Sequence, residues 1–247
     1  MKQIISILLL LLNINAFSTT VIDKKTGVVI HFENSSVPFG HETFNGVAAT
    51  YNIVYEQAVS EAISAYPVEL VKKYLKHIYV YDYIGRTGFG GTYSTKNYSI
   101  YITVIDDQRN VKTKNQIQNF IHHEFSSMIW KWRRDGSYDK GDFAHLKNEW
   151  LQISNNYKDT YSFYSVYPEE KYWTKGYLCD YGTKSFEEDF NMIASYMFKS
   201  VYSEFNIWSL YGKYPEITEK MDLVIKYYTQ IDSKFNKNWF ENNCKKN

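Results

Sequence analysis

The segment from Lys114 to Arg133 constrains this 247-residue chain more than any other. Thr113 and Gln116 spell a T-x-x-Q capping box. Ile117, Ile121, Phe125, Met128 and Trp132 then recur at helical spacing. At about 100° per residue they form one apolar stripe, which predicts a long helix buried along one side. Glu124 falls inside that stripe. A carboxylate turned toward a core is costly unless it is paired or lies near a cation. His123 sits just off the stripe and shares a side with Ser127 one turn on, whereas His122 points about 100° away.

The pattern before this helix is strand-like. Residues 20–33 read as a hairpin turning near Lys24–Gly27. His77–Ile84 and Tyr98–Ile105 are β-branched and aromatic, as strands are, with the loop GRTGFGG after the first. Between hairpin and strand, Val59, Ala62, Ile63 and Tyr66 mark a helix, which Pro67 ends before opening a second. His41-Glu42, beside Pro38 and Gly40, reads as a loop.

The pattern after it is helical. Asp142 is expected to cap a helix running through Leu151, and residues 154–182 are Tyr-rich and irregular. Ser185 opens a helix over 186–200, and Ile217, Met221, Val224, Tyr228, Ile231 and Phe235 describe a last amphipathic one. Strands early and helices late give an α+β chain, with a small mixed sheet in front of a mainly helical half.

Composition and the first residues narrow the function classes. Aromatic residues make up 18% of the chain, too many for a disordered one. A formal net charge of +1 gives no electrostatic case for nucleic acid. Residues 1–18 carry Lys2, the apolar run Ile4–Leu12 and small residues at Ala16 and Ser18, so they read as a signal peptide. No Cys stands near the cleavage point to take a lipid anchor, and no other apolar run is long enough to span a membrane. The expectation is a secreted or periplasmic monomer with one domain over residues 19–247. Export permits a disulfide between Cys179 and Cys244. There is no G-x-S-x-G elbow, P-loop or dinucleotide-binding glycine fingerprint.

Two segments carry a resemblance. His123-Glu124-Phe125-Ser126-Ser127 resembles H-E-x-x-H, with Ser127 where the second His would stand. Glu188-Asp189-Phe190-Asn191-Met192 resembles the E-D-F-A-E start of a later helix. Together they are similar to zinc-binding metallopeptidases of the gluzincin type. The resemblance implies a zincin-like fold, a zinc cofactor held by His123 and Glu188, and Glu124 as general base for a metal-activated water. Asp189, Ser127 and His122 are further ligand candidates, and Tyr181 or Tyr172 could donate to an oxyanion. It also implies that the strand near Tyr98–Ile105 lines the cleft as its edge and takes a peptide or protein substrate. Glu188 has a second reading, since S-x-x-E after Ser185 makes it a capping-box residue.

Three functions stay open on the sequence. One is an exported zinc metallopeptidase. The second is a catalytically inactive pseudo-metallopeptidase that binds peptide or glycan in an aromatic-lined cleft, because a Ser hydroxyl is a poor zinc ligand. The third is an unrelated secreted binding protein, in which His123, Glu124 and Glu188 would lie far apart.

Overall fold

A computed structural model describes residues 18–85, 90–106, 108–135, 140–158 and 164–244. The expected signal peptide therefore lies outside the described residues, apart from Ser18. The fold class is the expected α+β, with a mixed sheet and a mostly helical C-terminal half.

Seven strands form the sheet: β1 (Thr19–Ile22), β2 (Val29–Phe32), β3 (Ser35–Phe39), β4 (Glu42–Ala48), β5 (His77–Ile84), β6 (Gly91–Ser94) and β7 (Ser99–Thr103). β5 is central. Along one edge it pairs with β2 in parallel at its start and with β4 antiparallel at its end. Along the other it pairs in parallel with β7, which in turn pairs antiparallel with β6. The β1–β2 hairpin turns where expected, with Asp23 accepting from the Thr26 backbone N–H (2.8 Å) and hydroxyl (2.7 Å) and Gly27 at φ 77°.

Two sheet features differ from the sequence reading. The strand near Tyr98–Ile105 is not the edge. β7 is buried at all five positions between β5 and β6, as its two apolar faces require. The edge strand is β6, four residues long, which pairs with no other strand among those described. His41 does not sit in a plain loop but in the turn joining β3 to β4, where Gly40 takes φ 60°. Pro38 is tolerated because β3 is itself an edge strand.

The helices are α1 (Ile53–Ser64), α2 (Val68–Tyr74), α3 (Lys114–Asp135), α4 (Lys140–Ile153), α5 (Glu170–Trp173), α6 (Phe186–Phe198), α7 (Pro215–Thr229) and α8 (Lys237–Cys244). Asp142 lies within α4 rather than at its cap. Phe235 lies beyond α7, in the turn leading to α8, and is still buried. No helix among the described residues is long and apolar enough to cross a membrane.

The sheet has two covered faces. Ile78, Val80, Ile100 and Ile102 point into the main core with α1, α3 and α6. Tyr81 and Tyr101 lie on the other face with Val37 of the β3–β4 hairpin. α3 runs between the sheet and α6, and its predicted stripe is buried, with Ile117, Ile121, Phe125 and Met128 at 0–1% exposure. Burial is not limited to one side as expected, since every residue from 121 to 130 is buried. Full burial of one such side chain is worth about 1.5–3 kcal/mol, so the stripe fixes the rotation of α3 and with it the direction of every polar group on the helix. Cys179 and Cys244 form no disulfide. Cys244 Sγ meets the Tyr196 carbonyl at 3.3 Å, and burial pushes the Cys179 thiol up to about 12.

Candidate functional site

α3 begins with the capping box, drawn in both directions. The Gln116 N–H donates to Thr113 Oγ1 at 3.2 Å and the Thr113 N–H to Gln116 Oε1 at 2.7 Å. Two turns on, His123, Glu124 and Ser127 are each less than a tenth exposed. α6 begins at Ser185, whose hydroxyl accepts from the Glu188 N–H at 3.2 Å. The Glu188 side chain does not complete that box, because it reaches across to α3, where Oε2 stands 3.1 Å from His123 Nε2.

His123 and Glu188 are hydrogen-bonded, and become an ion pair when the ring is protonated. Burial alone would lower the His123 pKa, but the hydrogen bond to Glu188 and the charges of Glu124, Glu188 and Glu187 raise it. Burial would raise that of Glu188, yet His123, Lys184 and Tyr181 together lower it. Lys184 Nζ stands 3.6 Å from Glu188 Oε1. Tyr181 hydrogen-bonds Glu188 and lies 5.9 Å from the His123 ring, centre to centre. Tyr93 of β6 donates to Glu187 Oε1 at 3.0 Å, tying the edge strand to α6.

Glu124 faces β6. A Cβ on Gly91 would stand 3.3 Å from Glu124 Cγ and only 2.8 Å from the Tyr101 carbonyl oxygen, so the strand approaches this closely because Gly91 has no side chain. Burial pushes the Glu124 carboxyl up to about 8. His123 opposes the rise, and Glu188 and Glu187 add to it. The rise favours the protonated carboxyl, which donates hydrogen bonds, over the carboxylate that a general base requires.

Ser127 stands where the second imidazole would be, and its hydroxyl accepts a hydrogen bond from the Asn191 side-chain amide of α6. Zinc bound by protein takes N, O or S⁻ ligands at about 2.0–2.3 Å, in a tetrahedron for structural sites and with three protein ligands for catalytic ones. His123 Nε2 and Glu188 Oε2 are close enough to share one ion. The third corner is a neutral hydroxyl already engaged by an amide. Among the described residues no three His, Cys, Asp or Glu are grouped so as to hold a metal. These residues do not fit a zinc centre of the kind the resemblance implies.

The other candidates lie apart from the His123–Glu188 contact. Asp189 is wholly buried, and its Oδ2 accepts from Lys220 Nζ (2.6 Å), Trp150 Nε1 (2.9 Å) and Tyr157 OH (3.0 Å), which makes it part of the core. His122 Nδ1 lies 3.0 Å from the Tyr66 hydroxyl, and its ring stacks on Phe198 at 4.7 Å. Tyr172 donates to Asp180. Sequence reasoning missed Lys184 and Tyr93, of which only Lys184 left a signal, standing four residues before Glu188. It read Glu187 as an acid at the positive end of its helix and Gly91 as part of a hairpin or cleft-lip loop.

No protein-family model matches the chain, and no curated protein matches it. Among solved structures, a protein from Bacteroides caccae described as a "putative zinc-binding metallo-peptidase" is similar to this chain. The two are 15% identical, the match covers 87% of this chain and 84% of that one, and the TM-score is 0.48.

Proposed function

We propose that this chain is an exported, metallopeptidase-like binding protein with a zincin-like scaffold that holds an extended peptide without cutting it. One observation carries the reading. The Ser127 hydroxyl, at the position of the missing ligand, is bonded to Asn191, and among the described residues no three His, Cys, Asp or Glu are grouped to hold zinc. The groups around it suit a binding role. β6 offers an edge to which a peptide can add as a further strand. Glu124, Glu187 and Glu188 stand beside that edge, with Lys184 as counter-charge.

The test is elemental analysis of the purified full chain and of Ser127→His, with fluorescence polarisation on a pool of labelled mixed-sequence decapeptides. The parent is expected to hold no stoichiometric zinc, to bind peptide equally with and without chelator, and to release it intact. Ser127→His is expected to take up one zinc. A parent that carries one zinc, loses it in His123→Ala and Glu188→Ala, and cleaves the pool is a metallopeptidase, and the proposal fails.

A further inference from the structure

Two histidines meet on the sheet, away from α3 and α6. His31 of β2 and His77 of β5 come from neighbouring parallel strands, two register positions apart. His31 Nε2 and His77 Nδ1 face each other at 3.0 Å. On the far side of the His31 ring, Nδ1 stands 3.1 Å from Glu33 Oε1. Tyr79 stacks on the same ring at 4.3 Å with an interplanar angle of 11°, which holds its plane.

This arrangement has a chemical direction. Imidazole ligands commonly present one nitrogen to a metal while the other N–H is held by a carboxylate, which sets the tautomer and raises basicity. With Glu33 Oε1 on the Nδ1 side, the tautomer that carries its proton on Nδ1 turns the Nε2 lone pair toward His77. Two nitrogens that face each other at this distance must share something positive. With no metal it is a proton. Both histidines are partly exposed, which leaves the outer side open to water ligands.

We infer that His31 and His77 form a two-imidazole site for a divalent transition-metal ion, with Glu33 orienting the first ligand and water completing the shell. Two protein ligands make this a labile site, unlike a closed structural zinc centre. The order of divalent affinities puts copper(II) above zinc at such nitrogens.

The experiment titrates the full chain with copper(II), and separately with zinc, by isothermal calorimetry. Pulsed electron paramagnetic resonance of the copper form counts the bound imidazoles without any variant. The expected result is one copper with two coordinated imidazoles. Uptake is lost in His31→Ala and in His77→Ala, falls about tenfold in Glu33→Gln, and is unchanged in His123→Ala and His41→Ala. Circular dichroism confirms that the alanine variants are folded. No copper uptake, a single coordinated imidazole, or uptake abolished only by His123→Ala would overturn the assignment. The last of these outcomes would instead place the metal at the α3–α6 contact.

Discussion

The side-chain amide of Asn191 donates to the hydroxyl of Ser127, joining α6 to α3 at the position where the resemblance calls for a metal ligand. Both residues are buried, at 0% and 3% exposure. A bond in such a place is costly to half-remove, because the remaining polar group has neither partner nor water.

Ser127→Ala is therefore expected to destabilise the chain by about 1–3 kcal/mol, since it strands the Asn191 amide. Asn191→Leu is expected to cost a similar amount. The double variant should lose clearly less than the two combined, because no stranded donor remains. Urea unfolding of all four proteins measures the coupling. Strict additivity would mean that the bond does not join the helices in solution.

Gly91 tests the approach of the edge strand. Gly91→Ala puts a Cβ 2.8 Å from the Tyr101 carbonyl oxygen, a backbone atom that cannot swing aside. The expected cost is about 1–3 kcal/mol, together with weaker binding of the decapeptide pool as β6 shifts off Glu124. An alanine variant as stable as the parent would show that β6 does not lie this close to α3.

The helices and the central strands were legible in the sequence because each carries a local signal. Residues 114–133 show a cap and a 3.6-residue period, and His77–Ile84 is recovered at its full length. β6 was missed because it is only four residues long, GTYS, and continues a glycine-rich run, so that Thr92 and Tyr93 alone carry a strand signal. β3 and β4 were hidden by Pro38 and Gly40, which read as breakers although an edge hairpin tolerates both. At the site, the helix wheel correctly put His123 and Ser127 on one side. It could not show that Glu188 reaches His123 while its neighbour Asp189 turns to Lys220, since that choice is made by the packing of α4, α6 and α7. The cysteine pairing failed for a related reason, as sequence separation carries no information on whether two thiols meet.

The Asp189–Lys220 pair tests whether Asp189 belongs to the core. Both side chains are 0% exposed, and their contact is 2.6 Å. Removing one partner leaves the other charge buried alone, so Asp189→Leu and Lys220→Met are each expected to cost about 3–5 kcal/mol. The paired change should recover most of that loss, because apolar replacement of both charges restores a neutral interior. Thermal unfolding of the three variants decides it. A mild Asp189→Leu would show that the carboxylate is not tied to Lys220.

His122 sets a pH dependence with a definite sign. Burial, and then the charge of Lys199, hold its pKa at about 3, against 6.5 for an ordinary histidine. Between those two values the unfolded chain binds a proton that the folded chain refuses. Stability is therefore complete above pH 6.5 and falls as pH drops toward 3, by an amount on the order of 3–5 kcal/mol at the acid end. His122→Gln removes the titrating ring while keeping a polar group near the Tyr66 hydroxyl. The variant is expected to be less stable than the parent at pH 7, because glutamine cannot stack on Phe198 as the imidazole does. Its stability should nevertheless change less between pH 6.5 and 4, so the two curves converge on acidification. Urea titrations at half-unit pH steps measure both slopes. Parallel curves would mean that His122 is solvated and titrates alike in both states, contrary to its place between Tyr66 and Phe198.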